Sequence, residues 1–167
     1  MNKIIYLILC LLGFLMVLTS CDNEREKSYQ MLPIVKEFEP EYYIFDGDEI
    51  SKEEWLEMQD LRFIINSENE FPEENLMGLE ELKESNIDFR KYTLLLGYFK
   101  LPGLVLGYRY QFARELETDQ LIFFMGFRLD QEAYKDPETD NLFSYSRSAI
   151  LVSKIPEYED VVFRWSY

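Results

Sequence analysis

The chain has 167 residues, a formal net charge of −15 and no histidine. Without histidine, Ser-His-Asp and Cys-His catalysis and imidazole metal sites are excluded, and the acidic balance is unfavourable for a nucleic-acid partner. Hydrophobic residues make up 47% of the chain, which is too many for a disordered protein and enough for one domain with an ordinary core.

The first 21 residues have the order of a secretory signal. Lys3 gives a positive start, residues 4–18 form an apolar run, and Leu-Thr-Ser-Cys closes the run at Cys21. This run of 15 residues is shorter than the about 20 that cross a bilayer, so we predict a cleaved signal peptide. The closing LTSC resembles the lipobox of bacterial lipoproteins, which implies cleavage before Cys21 and acylation of its thiol and of its new amino group.

An ordinary signal peptide with an incidental cysteine is the alternative. If Cys21 is acylated, the mature chain keeps no thiol, because Cys10 lies in the removed segment. Two or three acyl chains would hold the protein on the bilayer essentially permanently. The predicted organisation is a lipoprotein signal peptide over residues 1–20, a flexible tether over 21–30 and a single globular domain over 31–167.

Negative charge is concentrated in the first half of the mature chain. Residues 22–88 contain 21 acidic and 6 basic side chains, a balance of −15, whereas residues 89–167 contain 11 and 10, a balance of −1. We expect anionic lipid headgroups to repel the acidic half, so that the domain stands off the bilayer. The alternative is that these acidic side chains form a solvated surface without any partner.

Two extended segments are predicted over residues 31–38 and 41–45, with prolines interrupting them. Ser51 and Glu54 then form a capping box, which predicts a helix from Lys52. The residues that this helix would present to the core are Trp55, Met58 and Leu61.

The acidic turn before this helix superficially resembles the calcium loop of an EF-hand. The register fails, because Tyr43, Phe45 and Gly47 would occupy positions that require carboxylate ligands. No calcium site is therefore predicted at this turn.

A short strand is predicted at residues 63–65, followed by a second capping box at Ser67 and Glu70. Pro72 limits this helix, because proline lacks the amide donor that a helix interior needs. The helix therefore either begins near Pro72 or is a single turn followed by a second helical segment. Asn86 is the predicted left-handed stop. The apolar residues of the second segment are Leu76, Leu79 and Leu82.

From residue 88 onward the apolar period changes from about 3.6 to 2. The segments TLLLGYFKL, LVLGYRYQFARELE and LIFFMGFRL are predicted strands, and the short ETDQ link makes the last two an antiparallel hairpin. In the first arm of the hairpin an aromatic face alternates with a face that carries Arg109, Gln111 and Ala113. Both faces of LIFFMGFRL are apolar, which indicates a central strand covered on both sides.

A polar excursion, DQEAYKDPETDN, follows the hairpin, and SAILVSKI and DVVFRWSY are two predicted closing strands. The predicted fold class is α+β. It consists of a mainly antiparallel β-sheet with one or two helices from the acidic N-terminal half packed on it.

No catalytic, cofactor-binding or metal-binding residue is predicted. Carboxylate pairs are abundant, but in so acidic a chain any given pair is expected by chance. Alternating carboxylates after residue 135 have a spacing that suits Ca²⁺ ligands, although a turn built by Pro137 explains them as well and is the preferred interpretation. The residues concerned are Asp136, Glu138, Asp140 and Asn141.

Seven aromatic side chains are candidates for stacking on sugar rings or on a protein partner, since Tyr and Trp favour interfaces. Aromatic residues at strand spacing more often form the core, and this interpretation is preferred. The residues are Tyr108, Tyr110, Tyr134, Tyr145, Tyr158, Trp165 and Tyr167.

The order SENEF, NIDFRKYTLLLGYFKLPG, the hairpin and a terminal strand ending in aromatic residues resembles small Bacteroidota lipoproteins of unassigned function. More loosely, it resembles the C-terminal domain of PrcB-type protease-complex lipoproteins, in which a similar Ile-Asp-Phe, basic residue and apolar strand follow a helix. The resemblance covers roughly residues 62–167, and residues 31–61 have no counterpart. It contains no catalytic residues, so it implies fold and location rather than activity.

The acidic residues after Cys21 resemble the surface-export signal of Bacteroidota lipoproteins. This implies a cell-envelope protein anchored in the outer membrane and exposed outside the cell. Asp22, directly after the cysteine, also resembles the inner-membrane retention signal of enterobacterial lipoproteins. The family resemblance favours the first location.

The predicted function is a non-catalytic binding or assembly module, held on the lipid bilayer through acylated Cys21. The preferred partner is a protein of the cell envelope, because the PrcB-like resemblance implies protein assembly. A glycan-binding surface lipoprotein is one alternative, and a hydrolase that uses paired carboxylates is the other. No enzymatic activity, cofactor or nucleic-acid partner is predicted.

Overall fold

The computed structural model describes residues 28–45, 59–74, 76–130, 143–157 and 159–167. These residues form eight strands in two four-stranded sheets, one 3-10 turn at Glu68–Glu70 and one helix, α1, at Leu79–Glu84. The strands are β1 (Tyr29–Leu32), β2 (Ile34–Phe45), β3 (Leu61–Ile65), β4 (Tyr92–Leu101), β5 (Val105–Glu115), β6 (Leu121–Leu129), β7 (Phe143–Ser153) and β8 (Val161–Ser166).

Sheet 1 has the order β1-β5-β6-β8, and sheet 2 has the order β2-β7-β4-β3. Every neighbouring pair is antiparallel except β6 and β8, which run parallel. The β5–β6 hairpin and the central position of β6 confirm the predictions from the sequence. Strand β1 begins at Tyr29, inside the range assigned to the tether.

The main core lies between the two sheets. Sheet 2 contributes Leu95 and Phe99, and sheet 1 contributes Phe112, Phe123 and Phe163, all of them buried. Successive side chains of a strand point to opposite faces, so one face of each sheet supplies this core and the two sheets form a sandwich.

The second face of sheet 2 is also covered. Leu79 and Leu82 of α1 pack with Leu94 and Leu96 of β4 in a separate buried cluster. Strand β4 is therefore buried on both faces, which explains why its sequence, YTLLLGYFKL, is an apolar run rather than an alternation. Sheet 1 has one face in the main core. Its other face is buried at Ala113 and Ile122 and exposed at Arg109 and Arg128.

The predicted α+β class is wrong, because the described part of the chain is mostly β-sheet, with 59% strand and 8% helical residues. The capping box at Ser67 and Glu70 supports only a 3-10 turn, and Glu70 accepts hydrogen bonds from the Asn66 amide and the Ser67 hydroxyl. Phe71 is extended, as expected of a residue before proline, and so the turn ends there.

The second predicted helical segment shortens to the six residues of α1. Its N-terminal cap, Gly78, is left-handed with φ 65°, and Asn86 ends it with φ 52°, as predicted. Leu61 lies in β3, so it does not belong to the helix predicted from Lys52. Residues 52–58 of that prediction, with Trp55 and Met58, lie outside the described residues. Within the described ranges, no helix has the length and apolar character that a bilayer span requires.

Candidate binding site

The outer face of sheet 1 carries a group of polar side chains that the strand register brings together. Arg109 of β5 lies opposite Gly126 of β6, which in turn lies opposite Ser166 of β8. Residues directly opposite each other in a sheet share a face. Because the alternate residues Phe123 and Met125 belong to the main core, the face that carries Gly126 points outward.

Two further rows flank this central row. On one side Gly107 lies opposite Arg128, and on the other Gln111, Phe124 and Arg164 lie side by side across β5, β6 and β8. We call this surface the Gly126 depression. It consists of Arg109, Gln111, Phe124, Gly126, Arg128, Arg164 and Ser166.

Glycine gives the depression its floor. A Cβ atom at Gly126 would have only the Arg109 carbonyl oxygen near it, at 3.9 Å, so the space above this residue is open. Two open cavities of about 410 and 360 Å³ meet here, and both are lined by Arg109 and Gly126. A ligand can therefore approach the backbone of β6 between the surrounding side chains.

Two arginines of the depression carry charge that the described residues do not neutralise. The side chain of Arg109 makes neither a hydrogen bond nor an ion pair within the described part of the chain. Arg128 lies across Gly107, and its one polar contact there is a long one, 3.5 Å to the Leu106 carbonyl oxygen. In a protein with a net charge of −15, these guanidinium groups are available to an anion.

Arg164 is held in place by its neighbours. Its Nη1 atom lies 3.3 Å from the Tyr29 hydroxyl and 3.9 Å from Glu115 Oε1, and its guanidinium lies 5.9 Å from the centre of the Phe124 ring. Tyr29 and Phe124 pack edge to face with ring centres 5.3 Å apart. This corner of the depression is therefore ordered, and it joins an apolar surface to a cationic one.

The chemistry of the depression suits an oxyanion. Arginine presents several N–H donors in a planar fork that matches a carboxylate or phosphate group. Ser166 and Gln111 add neutral hydrogen-bonding groups beside the arginines. No group of three or more acidic, cysteine or histidine side chains suited to a metal ion occurs in the described ranges.

The aromatic candidates do not form one surface. Tyr110 is buried at 5% exposure, and Trp165 packs on Phe99 with ring centres 4.8 Å apart. Tyr145 stacks on Tyr98 and donates a hydrogen bond to the Gln59 carbonyl oxygen. These three side chains therefore pack within the protein, as the preferred interpretation predicted. Tyr108 and Tyr167 are exposed. Tyr134 and Tyr158 lie outside the described residues, as do Cys21 and the loop with Asp136, Glu138, Asp140 and Asn141.

The structure brings carboxylates together at two arginines. Asp119 and Glu159 both pair with Arg114, and a second pair of carboxylates lies on the other side of the sandwich. Glu41 of β2 and Glu81 of α1 both contact Arg147 of β7, at 3.1 and 3.4 Å. The guanidinium of Arg147 also donates hydrogen bonds to the carbonyl oxygens of Gly78, at 2.6 Å, and Glu39, at 2.9 Å. Arg147 thus ties β2, β7 and the start of α1 together.

The electrostatics of this cluster are those of a structural ion pair. Burial raises the pKa of Glu41, the positive charge of Arg147 opposes that rise, and a hydrogen bond with Glu81 adds to it. The side chain of Arg147 is 1% exposed, so the group between the two carboxylates is protein rather than an open subsite. A two-carboxylate glycosidase needs its substrate in that place.

The Gly126 depression was not predicted from the sequence. The strand alternation places Arg109 and Gln111 on the face opposite the aromatic residues, and no function was predicted for that face. The available signal was that glycines and arginines, rather than aromatic residues, alternate there: Gly107 and Arg109 in β5, Gly126 and Arg128 in β6.

Comparisons of the chain with protein-family models, with curated proteins and with solved structures found no match. The resemblance to Bacteroidota lipoproteins therefore stays a prediction.

Proposed function

We propose that the chain is a lipid-anchored, non-catalytic binding module that holds a protein partner at the cell envelope, and that the Gly126 depression is its binding site. The observation that carries the proposal is the pair Arg109 and Arg128, whose charges no carboxylate neutralises within the described residues. A strongly acidic chain has more carboxylates than its own basic side chains can pair with. Two exposed arginines kept apart from them are best explained by an anionic group on a partner.

The position of the depression supports this role. Its side chains stand on β5 and β6, the two central strands of sheet 1, whose inner faces are fixed in the main core. A site on packed strands is held more precisely than a site on loops, so less entropy is lost when a partner binds. Arg164 is already ordered by Tyr29, Glu115 and Phe124.

The N-terminal sequence supports the location. Acylated Cys21 anchors the chain in the outer membrane, and the residues between Cys21 and Tyr29 reach at most about 30 Å when extended. The domain therefore stays close to the bilayer and faces the outside of the cell. A partner bound at the Gly126 depression is held at the same surface.

The test is capture of a partner from detergent-solubilised envelope by the full mature chain. Three forms are compared: the natural sequence, the double variant Arg109→Gln with Arg128→Gln, and Arg90→Gln as a control. Arg90 is an exposed arginine paired with Asp88 outside the depression. A protein captured by the natural chain and by the Arg90 variant, but not by the double variant, supports the proposal.

A glycan array and a panel of hydrolase substrates are run beside the capture. Saturable glycan binding that the double variant loses would replace the protein partner by a glycan. Substrate turnover that disappears on changing Glu41 or Glu81 to glutamine would overturn the non-catalytic role. Capture that is equal for all three forms would remove the Gly126 depression from the binding site.

A further inference from the structure

We infer that the partner occupies the Gly126 depression with an extended acidic segment whose carboxylates occur at every second residue. This inference rests on the proposed function and specifies the chemistry of the partner. It follows from the positions of Arg128, Arg109 and Arg164 in the register of sheet 1.

The three arginines lie in three successive rows along the outer face. Arg128 lies in the row of Gly107, Arg109 in the row of Gly126, and Arg164 in the row of Phe124. Rows on one face of a sheet are two residues apart, which corresponds to about 6.6–6.8 Å along the strand. The face therefore presents one guanidinium in each of three rows.

An extended peptide has the same repeat. Its side chains on one side also recur every two residues, at about 6.6–6.8 Å. A segment that runs along β6 over Gly126 would place one carboxylate in each row, with Arg109 on the β5 side and Arg164 on the β8 side. Diagonal neighbours such as Arg109 and Arg128 have Cα atoms about 7–8 Å apart, which is within reach of long side chains.

The floor of the depression fits a polypeptide. In the central row β6 contributes no side chain, because Gly126 stands there, so the backbone of the bound segment can lie close to β6 between Phe124 and Arg128. Gln111 and Ser166 flank the path and provide hydrogen bonds to peptide groups. Arginine forks bind planar carboxylates with two parallel hydrogen bonds, which gives a defined register as well as charge attraction.

The experiment uses two labelled peptides of identical composition and the full mature chain in detergent. One peptide alternates glutamate with threonine, so that three carboxylates occur at every second residue. The other has the same three glutamates in succession. Fluorescence anisotropy measures the dissociation constant of each peptide at low and at high salt, because charge contacts on a surface weaken as salt increases.

The alternating peptide should bind about tenfold more tightly than its isomer, because only it places one carboxylate in each row. Arg109→Gln and Arg128→Gln should each weaken its binding about tenfold, whereas Arg90→Gln, which removes the same charge elsewhere, should leave it unchanged. Arg109→Lys should restore part of the affinity, because lysine keeps the charge without the fork.

The variant Gly126→Val tests the contribution of the floor's shape to binding without changing the charge of the depression. Valine is favoured in strands and fits the open space, so the variant should fold. The substitution leaves all three arginines in place but fills the floor, so affinity for the alternating peptide should fall. Circular dichroism and the urea midpoint verify that each variant folds. Unchanged affinity in folded Gly126→Val would contradict binding over the floor.

Three other outcomes overturn the inference. Equal affinity for the two peptides would mean charge attraction without a register. Stronger binding of a uronate oligosaccharide through the same arginines would make the partner a glycan, and self-association lost in Arg109→Gln would make it a second copy of the chain. Because the titration needs no natural partner, its failure leaves the envelope capture, and with it the proposed function, to be judged separately.

Discussion

Replacing Arg147 with methionine should lower the free energy of unfolding by about 3 kcal/mol. The guanidinium contacts two carboxylates and two backbone carbonyl oxygens, and methionine provides none of these contacts. Removing one partner of a buried ion pair costs roughly 3–5 kcal/mol. The lower end applies because the side chains of Glu41 and Glu81 are 38% and 67% exposed and keep part of their hydration. Methionine retains most of the apolar packing of the arginine stem.

Urea unfolding measures this effect. A loss of about 3 kcal/mol should move the midpoint down by about 1.5–2 M while the slope m stays the same. Lys83→Met is the matched control, because Lys83 lies on α1, the helix that Arg147 contacts through Glu81, and pairs with Glu80 at 2.9 Å on the surface. It should change stability by less than about 0.5 kcal/mol. A loss below about 1 kcal/mol in Arg147→Met would refute the reasoning that this ion cluster holds β2, β7 and α1 together.

Three further predictions concern the same cluster and the anchor. Gly78→Ala should destabilise the fold, because φ is 65° and a Cβ would collide with the guanidinium of Arg147 and the carboxylate of Glu41; the urea midpoint measures it. Burial raises the pKa of Glu41. The stability that Glu41 contributes is therefore largest at or below the ordinary pKa of 4.5 and is lost as pH rises through the raised pKa. Thermal unfolding across this window should show that the stability of the natural chain increases relative to that of Glu41→Gln as pH falls. Cys21→Ala should release the protein from the membrane fraction, and mass spectrometry of the natural protein should find Cys21 acylated and residues 1–20 absent. An unmodified Cys21 in mature protein would contradict the anchor.

The sequence by itself was sufficient for most strands, because the signals that define them are local. Apolar runs and apolar alternation with a period of two predict β4 to β8, and a short apolar run predicts β3. The ETDQ link lies at the β5–β6 turn and sets the hairpin. Asn86 was recognised as the end of α1 because few other residues adopt a left-handed conformation easily.

The helices were overestimated because a helical apolar pattern competes with backbone constraints nearby. Pro72 forces Phe71 into an extended conformation, so the capping box at Ser67 ends as one 3-10 turn. In α1 the leucines at helical spacing were read correctly, but the left-handed Gly78 starts the helix late. Local periodicity favoured a helix at Leu61. In the structure Leu61 pairs with Tyr98 of β4 in sheet 2, and this pairing makes the segment a strand.

The Gly126 depression depended entirely on tertiary structure. Arg109, Arg128 and Arg164 are 19 and 36 residues apart in the chain, on three different strands. Local periodicity places each of them on a polar face, but it contains no information about which strands become neighbours or in which register. The parallel pairing of β8 with β6 aligns Arg164 with Phe124 and Ser166 with Gly126, and a shift of one residue would turn both side chains to the opposite face.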